Sequence, residues 1–176
     1  MNGNVATTER AIPLSVVCAV DQTSAEESSP RERNYTTVAS FVDPNILVYA
    51  EDRHTKATHE TARDLVIELW EKRDGVLSIQ VLQEFYVTAT RKLKKPLSAA
   101  KAQEIVHEYL TWTVVENTSR LLSAALELHQ SAQLSFWDAM VVQAAIEAGC
   151  DTLYSEDLNA GQRFGSVVVV NPFKQR

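Results

Sequence analysis

A chain of 176 residues with 45% apolar and 23% charged side chains has the makeup of one globular domain around a single core, which excludes fibrous and wholly disordered classes. Its net charge of −6 excludes the broadly basic surface through which most nucleic-acid binders gain affinity, so such a partner has to be met by a local basic patch or through bound cations. Cys18 and Cys150 form neither a metal-ligand pair nor a disulfide framework, which is compatible with a reducing compartment, the cytoplasm.

In chain order, residues 1–37 come first, with clusters of Ser, Thr, Asn and Glu around one apolar stretch, Ala11 to Val20. They show no helical or strand period and read as a disordered tail before a domain spanning 38–176. The apolar stretch has the length of a signal-peptide core, but Glu9 and Arg10 precede it and a positive n-region is missing. No run approaches the ~20 apolar residues of a membrane span.

From Val38 the pattern alternates. A strand at Val38 to Val42 leads into a short helix after Pro44, a residue suited to a first helical turn. A helix from about Thr55 to Lys72 carries Ala62, Leu65, Val66 and Leu69 at helical spacing, with Gly75 after its end. Val76-Leu77 reads as a buried strand. Ser78 caps a helix through Leu93, Ser98 caps another through Trp112, and Val114-Val115 is a third strand. Helices follow at Ser119 to Gln130 and Phe136 to Ala148, the latter closed by Gly149. Thr152 to Tyr154 and Val167 to Val170 complete a mainly parallel sheet of about five strands. Strands separated by helices imply an α/β fold, a three-layer α/β/α sandwich.

Four acids fall where such a sheet would gather them at one edge: Asp43, Glu84, Asp138 and Asp157. Ligands of open α/β sheets bind in the crevice beyond the carboxyl ends of the strands. Each acid also has an ordinary explanation. Asp138 is the fourth residue of Ser135-Phe136-Trp137-Asp138, a capping box, yet it points down an apolar flank between Val141, Val142 and Ala145, where an ionised carboxylate is costly unless paired or bound to a cation. Glu84 lies opposite Ile79, Leu82, Phe85, Tyr86, Ala89 and Leu93, with Gln80, Thr88 and Arg91, so a solvated polar face explains it. No structural job is forced on Asp43 or Asp157 by spacing, although Asp and Asn45 are both common turn formers.

Taken in order, the segments Phe41-Val42-Asp43-Pro44-Asn45-Ile46-Leu47-Val48-Tyr49-Ala50, Ser78-Ile79-Gln80-Val81-Leu82-Gln83-Glu84-Phe85, Ser135-Phe136-Trp137-Asp138-Ala139-Met140-Val141 and Tyr154-Ser155-Glu156-Asp157-Leu158-Asn159 resemble the PIN domain, and within it the VapC-like toxins of toxin–antitoxin pairs. The resemblance implies a metal-dependent endoribonuclease with Asp43, Glu84, Asp138 and Asp157 as its acidic quartet, supported by Asn45 and by Ser155, where many relatives have Thr. It also implies an RNA substrate, a cognate antitoxin protein and a homodimer. The tail before Val38 departs from those toxins, which commonly begin almost at the first strand.

Phosphodiester hydrolysis needs an activated water and stabilisation of phosphoryl charge, and hard divalent ions held by carboxylates supply both. Mg²⁺, with Mn²⁺ as a substitute, suits a few Asp and Glu side chains plus a phosphate. His54, His59, His107 and His129 match no zinc spacing. Arg91-Lys92-Leu93-Lys94-Lys95 is the densest basic run; Arg91, Lys92, Lys94 and Lys95 are candidates for the RNA backbone, although cations at a helix C-terminus are favourable in themselves. None of Tyr49, Trp112 and Trp137 reads as a base-stacking platform, and Trp137 is expected in the core. Two rivals remain: a haloacid-dehalogenase-like phosphohydrolase, which wants a second Asp where Asn45 stands, and a catalytically silent PIN-like interaction module.

Overall fold

The computed structural model describes residues 39–174, so the expected N-terminal tail, Cys18 and the first residue of the expected opening strand lie outside the described residues. The chain runs β1 (Ser40–Val42), α1 (Pro44–Glu51), α2 (Lys56–Lys72), β2 (Gly75–Ser78), α3 (Ile79–Arg91), α4 (Ala99–Tyr109), β3 (Thr113–Val115), α5 (Ser119–Ala132), α6 (Phe136–Glu147), β4 (Thr152–Tyr154), β5 (Arg163–Phe164) and β6 (Val167–Val170). The sheet order is β3-β2-β1-β4-β6-β5. All neighbouring pairs are parallel except β5 with β6.

Phe41 and Val42 of β1, Leu77 of β2 and Leu153 of β4 are wholly buried. Adjacent strand residues point to opposite faces, so burial of both requires helices on both sides of the sheet. Helix α1 packs on α2 and α3, and α3 on α4, while α5 and α6 pack on one another with α6 against β2 and β4. This is the expected three-layer arrangement.

Local chemistry sets most of the boundaries. The hydroxyls of Ser78, Ser98, Thr118 and Ser135 each accept a hydrogen bond from the N–H three residues on, capping α3, α4, α5 and α6. Helix α2 ends at Lys72 as expected but is closed by another residue, α3 and α4 end earlier than expected, and α5 runs on to Ala132. Helix α2 is closed by Arg73 in the left-handed conformation, φ 59°, and Gly75 is instead the first residue of β2. Helix α3 stops at Arg91, two residues early. Helix α4 stops at Tyr109 because Thr111 and Trp112 turn back, their N–H groups donating to the carbonyls of Glu108 and Tyr109.

The sixth strand, β5, was not expected. It pairs Arg163 with Val168 and Phe164 with Val167 across a two-residue loop, and Gly165 in that loop has φ 61°. A Gly-Ser pair between apolar residues is a hairpin signal, but two residues are too few to show an alternating pattern. None of the described helices is long and apolar enough to cross a membrane.

Candidate active site

The chain leaves β1, fills the sheet outward through β2 and β3, then returns to β4 on the other side of β1. The crevice beyond β1 and β4 is therefore the topological switch point, where open α/β sheets place their ligands. Asp43 follows β1 directly, and its N–H donates to the Tyr154 carbonyl of β4 (3.0 Å). That bond extends the β1–β4 ladder by one step and brings Asp43 beside Ser155.

Asp43 is 5% exposed, and both its carboxylate oxygens are engaged. Oδ1 accepts from the Asn45 N–H (2.9 Å), which caps α1, and Oδ2 accepts from the buried Ser155 hydroxyl (3.0 Å). The expectation that no structural role binds Asp43 is thus corrected, since it is the N-cap of α1. Ser155 Oγ accepts in turn from the Asp157 N–H (3.2 Å), and the Asn45 side-chain amide donates to Asp157 Oδ2 (2.6 Å). Asp43, Asn45, Ser155 and Asp157 form one closed hydrogen-bonded ring from two strand ends that are 112 residues apart in sequence.

Burial raises the Asp43 pKa from 3.8 to about 7; the hydrogen bonds from Asn45 and Ser155 oppose this shift, and the charges of Asp157 and Asp138 add to it. The more exposed Asp157 is also raised, by partial desolvation first and then by Glu156 and Asp138. Asp138, in the first turn of α6 with its N–H held by Ser135 Oγ (3.1 Å), therefore lies close enough for its field to reach both. Three of the four expected acids share one electrostatic neighbourhood.

Glu84 joins them differently. It is half-buried and accepts a hydrogen bond from Gln80 Nε2 (2.7 Å), whose amide also reaches the Trp137 carbonyl of α6 (3.4 Å). Gln80 is 2% exposed, so the face of α3 read as solvated turns inward and faces the first turn of α6. The i, i+4 spacing of Gln80 and Glu84 was legible; that their face would be covered was not, because polar side chains on one face look solvated until the covering helix is known. Trp137 reverses its expectation too, being 59% exposed.

Sequence reasoning also missed the support of the β4–β5 loop. Tyr49 of α1 donates its hydroxyl to Glu156 Oε1 (2.5 Å), Asn171 Nδ2 donates to the Glu156 carbonyl (3.4 Å), and the Phe173 ring meets Tyr49 edge-on at 5.3 Å. The bond to Glu156 raises the Tyr49 pKa to about 12, which keeps its hydroxyl protonated as a donor. His59 and His129 have local roles, each setting Nδ1 against a backbone carbonyl, that of Tyr49 and that of Leu134.

The donor set is all oxygen: carboxylates, an amide and a hydroxyl. Among the described residues no three acidic, His or Cys side chains converge tightly enough to enclose an ion by themselves. An all-oxygen donor set of this kind suits a hard divalent ion that keeps waters in its shell.

A family model for the PIN domain matches residues 40–162. The chain belongs to the PIN-domain family. That membership removes the dehalogenase-like alternative, and Asn45, which stands where that family wants a second Asp, is an amide donor to Asp157. No curated protein sequence matches the chain at a significant level. Among solved structures, this PIN domain is similar to Mycobacterium tuberculosis VapC20, described as a sarcin–ricin-loop-cleaving toxin, at 22% identity and TM-score 0.51 over 66% of this chain and 88% of that one. It is also similar to VapBC2 from Rickettsia felis, solved with a DNA fragment from its promoter, at 17% identity and TM-score 0.53 over 74% of this chain and 96% of that one. At these identities the similarity shows the fold.

Proposed function

We propose that the protein is a divalent-metal-dependent endoribonuclease and the toxin of a toxin–antitoxin pair. The observation that carries this reading is the Asp43 carboxyl, buried beside two further carboxylates and ionised only at a cost. A group of this kind is retained where a cation offsets the repulsion. The PIN membership and the fold shared with two VapC-type toxins support it.

In this reading Mg²⁺ or Mn²⁺ would sit among Asp43, Asp138 and Asp157, bound directly by one or two of these carboxylates with waters and the substrate phosphate completing its shell, and Glu84 would lie at the margin of the site. A divalent ion held there would supply water activation near neutral pH and positive charge for the phosphoryl oxygens. The chain's own residues do the rest. Ser155 and the Asn45 backbone fix both oxygens of Asp43, the Asn45 amide orients Asp157, and Gln80 orients Glu84 while tying α3 to α6. A carboxylate whose second oxygen is hydrogen-bonded keeps its first aimed at one point, and such support is worth ~10–100-fold in metal affinity or activity.

The purified chain should cut RNA with Mg²⁺ or Mn²⁺ and stop on chelation, and its expression should slow growth unless a partner protein is co-expressed. An RNA-cleavage assay with contaminating nuclease excluded tests this; metal-loaded protein that cuts no RNA and spares growth favours the silent-module alternative.

We read the basic run as the contact for the RNA backbone. Because α3 ends at Arg91, with Lys92 as its cap residue, Lys94 and Lys95 project from the turn beyond the helix, where helix-dipole stabilisation has faded. Converting Arg91, Lys92, Lys94 and Lys95 together to Gln should raise the RNA dissociation constant and flatten its salt dependence by about one unit per lost phosphate contact. An unchanged salt slope would leave the run without that role.

A further inference from the structure

Trp137 is exposed over 59% of its surface, more than any other large apolar side chain among the described residues, at the residue just before Asp138. Solvation is an unfavourable setting for an indole. It is nevertheless held in place, with Phe136, packed on the core, meeting it edge-on at 5.0 Å and its carbonyl tied to Gln80. Beside it opens a cleft of about 230 Å³ whose walls include Gln80, Gln83, Glu84, Thr88 and Lys92. That is smaller than the ~300–1,000 Å³ of pockets that enclose whole small molecules, which suits a subsite for part of a longer ligand.

The contents of this cleft are specific in kind. It combines an aromatic face, the apolar Val87, amide and hydroxyl groups that both donate and accept, and one lysine. One wall, Glu84, accepts from the Gln80 amide that also reaches the carbonyl of Trp137, the residue before Asp138. A flat ring with hydrogen-bonding edges, linked to an anion and lying next to a phosphate held at Asp138, is a nucleotide of single-stranded nucleic acid. A base inside a duplex could not present its face, so the neighbouring nucleotide must be splayed out.

We propose that the cleft is a nucleotide subsite beside the scissile phosphate, in which one unpaired base stacks on Trp137 while Lys92 meets the adjoining phosphate. The inference rests on the ribonuclease reading for the position of the scissile bond. It makes Trp137 a binding residue.

The test uses the full chain and a fluorescein-labelled mixed-sequence single-stranded RNA ten nucleotides long, with binding titrated in chelator so that cleavage plays no part and cutting measured separately with Mg²⁺. Trp137→Ala should weaken binding by between about 5- and 150-fold, the range for loss of one stacked base. Trp137→Phe should retain most of the affinity. The salt slope should stay unchanged in Trp137→Ala and fall by about one unit in Lys92→Gln, and a hairpin with a fully paired stem and a minimal loop should bind worse than the single strand. Circular dichroism confirms the fold of each variant. If wild type binds and cuts RNA while a folded Trp137→Ala does both equally well, the subsite is overturned, the nuclease reading stands, and the exposed indole is assigned to a protein contact. If wild type neither binds nor cuts any RNA, both fall.

Discussion

Replacing Asp43 with Asn should abolish metal-dependent RNA cleavage and, in the same protein, raise the stability of the metal-free fold. The first effect follows from charge. The variant keeps the shape and an oxygen to accept from the Asn45 N–H, which caps α1, but loses the anion around which the site is built, and loss of one preorganised electrostatic group costs roughly 10²–10³-fold in rate or more. The second follows from burial. An unfolded Asp titrates near 3.8 and the folded Asp43 near 7, so between those values the unfolded chain releases a proton that the folded chain retains. Stability contributed by the protonated carboxyl is fully present below pH ~4, is lost as pH rises towards 7 and is constant beyond. At 1.36 kcal/mol per unit the loss is on the order of 4 kcal/mol as an upper bound. Thermal melts in chelator should therefore show wild type falling from pH 4 to 7 and Asp43→Asn lacking that fall, the gap closing for wild type when Mg²⁺ is added. Parallel curves for the two proteins would show that Asp43 is not the strained group described here. Active Asp43→Asn would remove it from the site altogether.

How far such a site can be read before folding depends on whether the information is local. Asp43, Ser155 and Asp157 were legible because a residue directly after a parallel strand is held at the sheet's carboxyl edge, wherever its helices go. Asp138 was legible because one short segment fixes it in the first turn of a capped helix. Glu84 and Trp137 were misplaced for a shared reason. Each sits on a helix face whose surroundings are decided by other elements, so the pattern that makes Gln80, Glu84 and Thr88 look solvated and Trp137 look buried holds no record of α6 meeting Gln80 or of the Trp137 ring being left open. Strand β5 escaped because its order arises from one hairpin of two pairs, and Tyr49, Glu156 and Asn171 escaped because their contacts join three separate loops and helices.

Gly75 gives the second large effect, and its cost comes from space more than from backbone. Gly149, Gly161 and Gly165 adopt φ of 69°, 85° and 61° with open space where a Cβ would stand, so Ala there meets backbone strain of about 1 kcal/mol. At Gly75 a Cβ would lie 2.1–2.6 Å from three atoms of the Trp112 ring. That ring is itself confined, stacked edgewise against Trp70 at 5.3 Å and Tyr109 at 5.5 Å, and Tyr109 is wholly buried. Overpacking of this kind costs about 1–3 kcal/mol, more than the ~0.5–1 kcal/mol that Ala gains over Gly in strand backbone entropy. Gly75→Ala should thus lower stability by about 1–2 kcal/mol net in urea unfolding. Activity should fall with it, since β2 ends in Ser78, the cap of the helix that carries Gln80 and Glu84. Trimming Trp112 to Leu in the same chain opens the contested space, so the double variant should be more stable than the sum of the two single changes predicts, with cleavage recovered in step. Strictly additive losses would mean that the ring swings aside freely and that the contact between β2 and Trp112 has no part in holding α3 against α6.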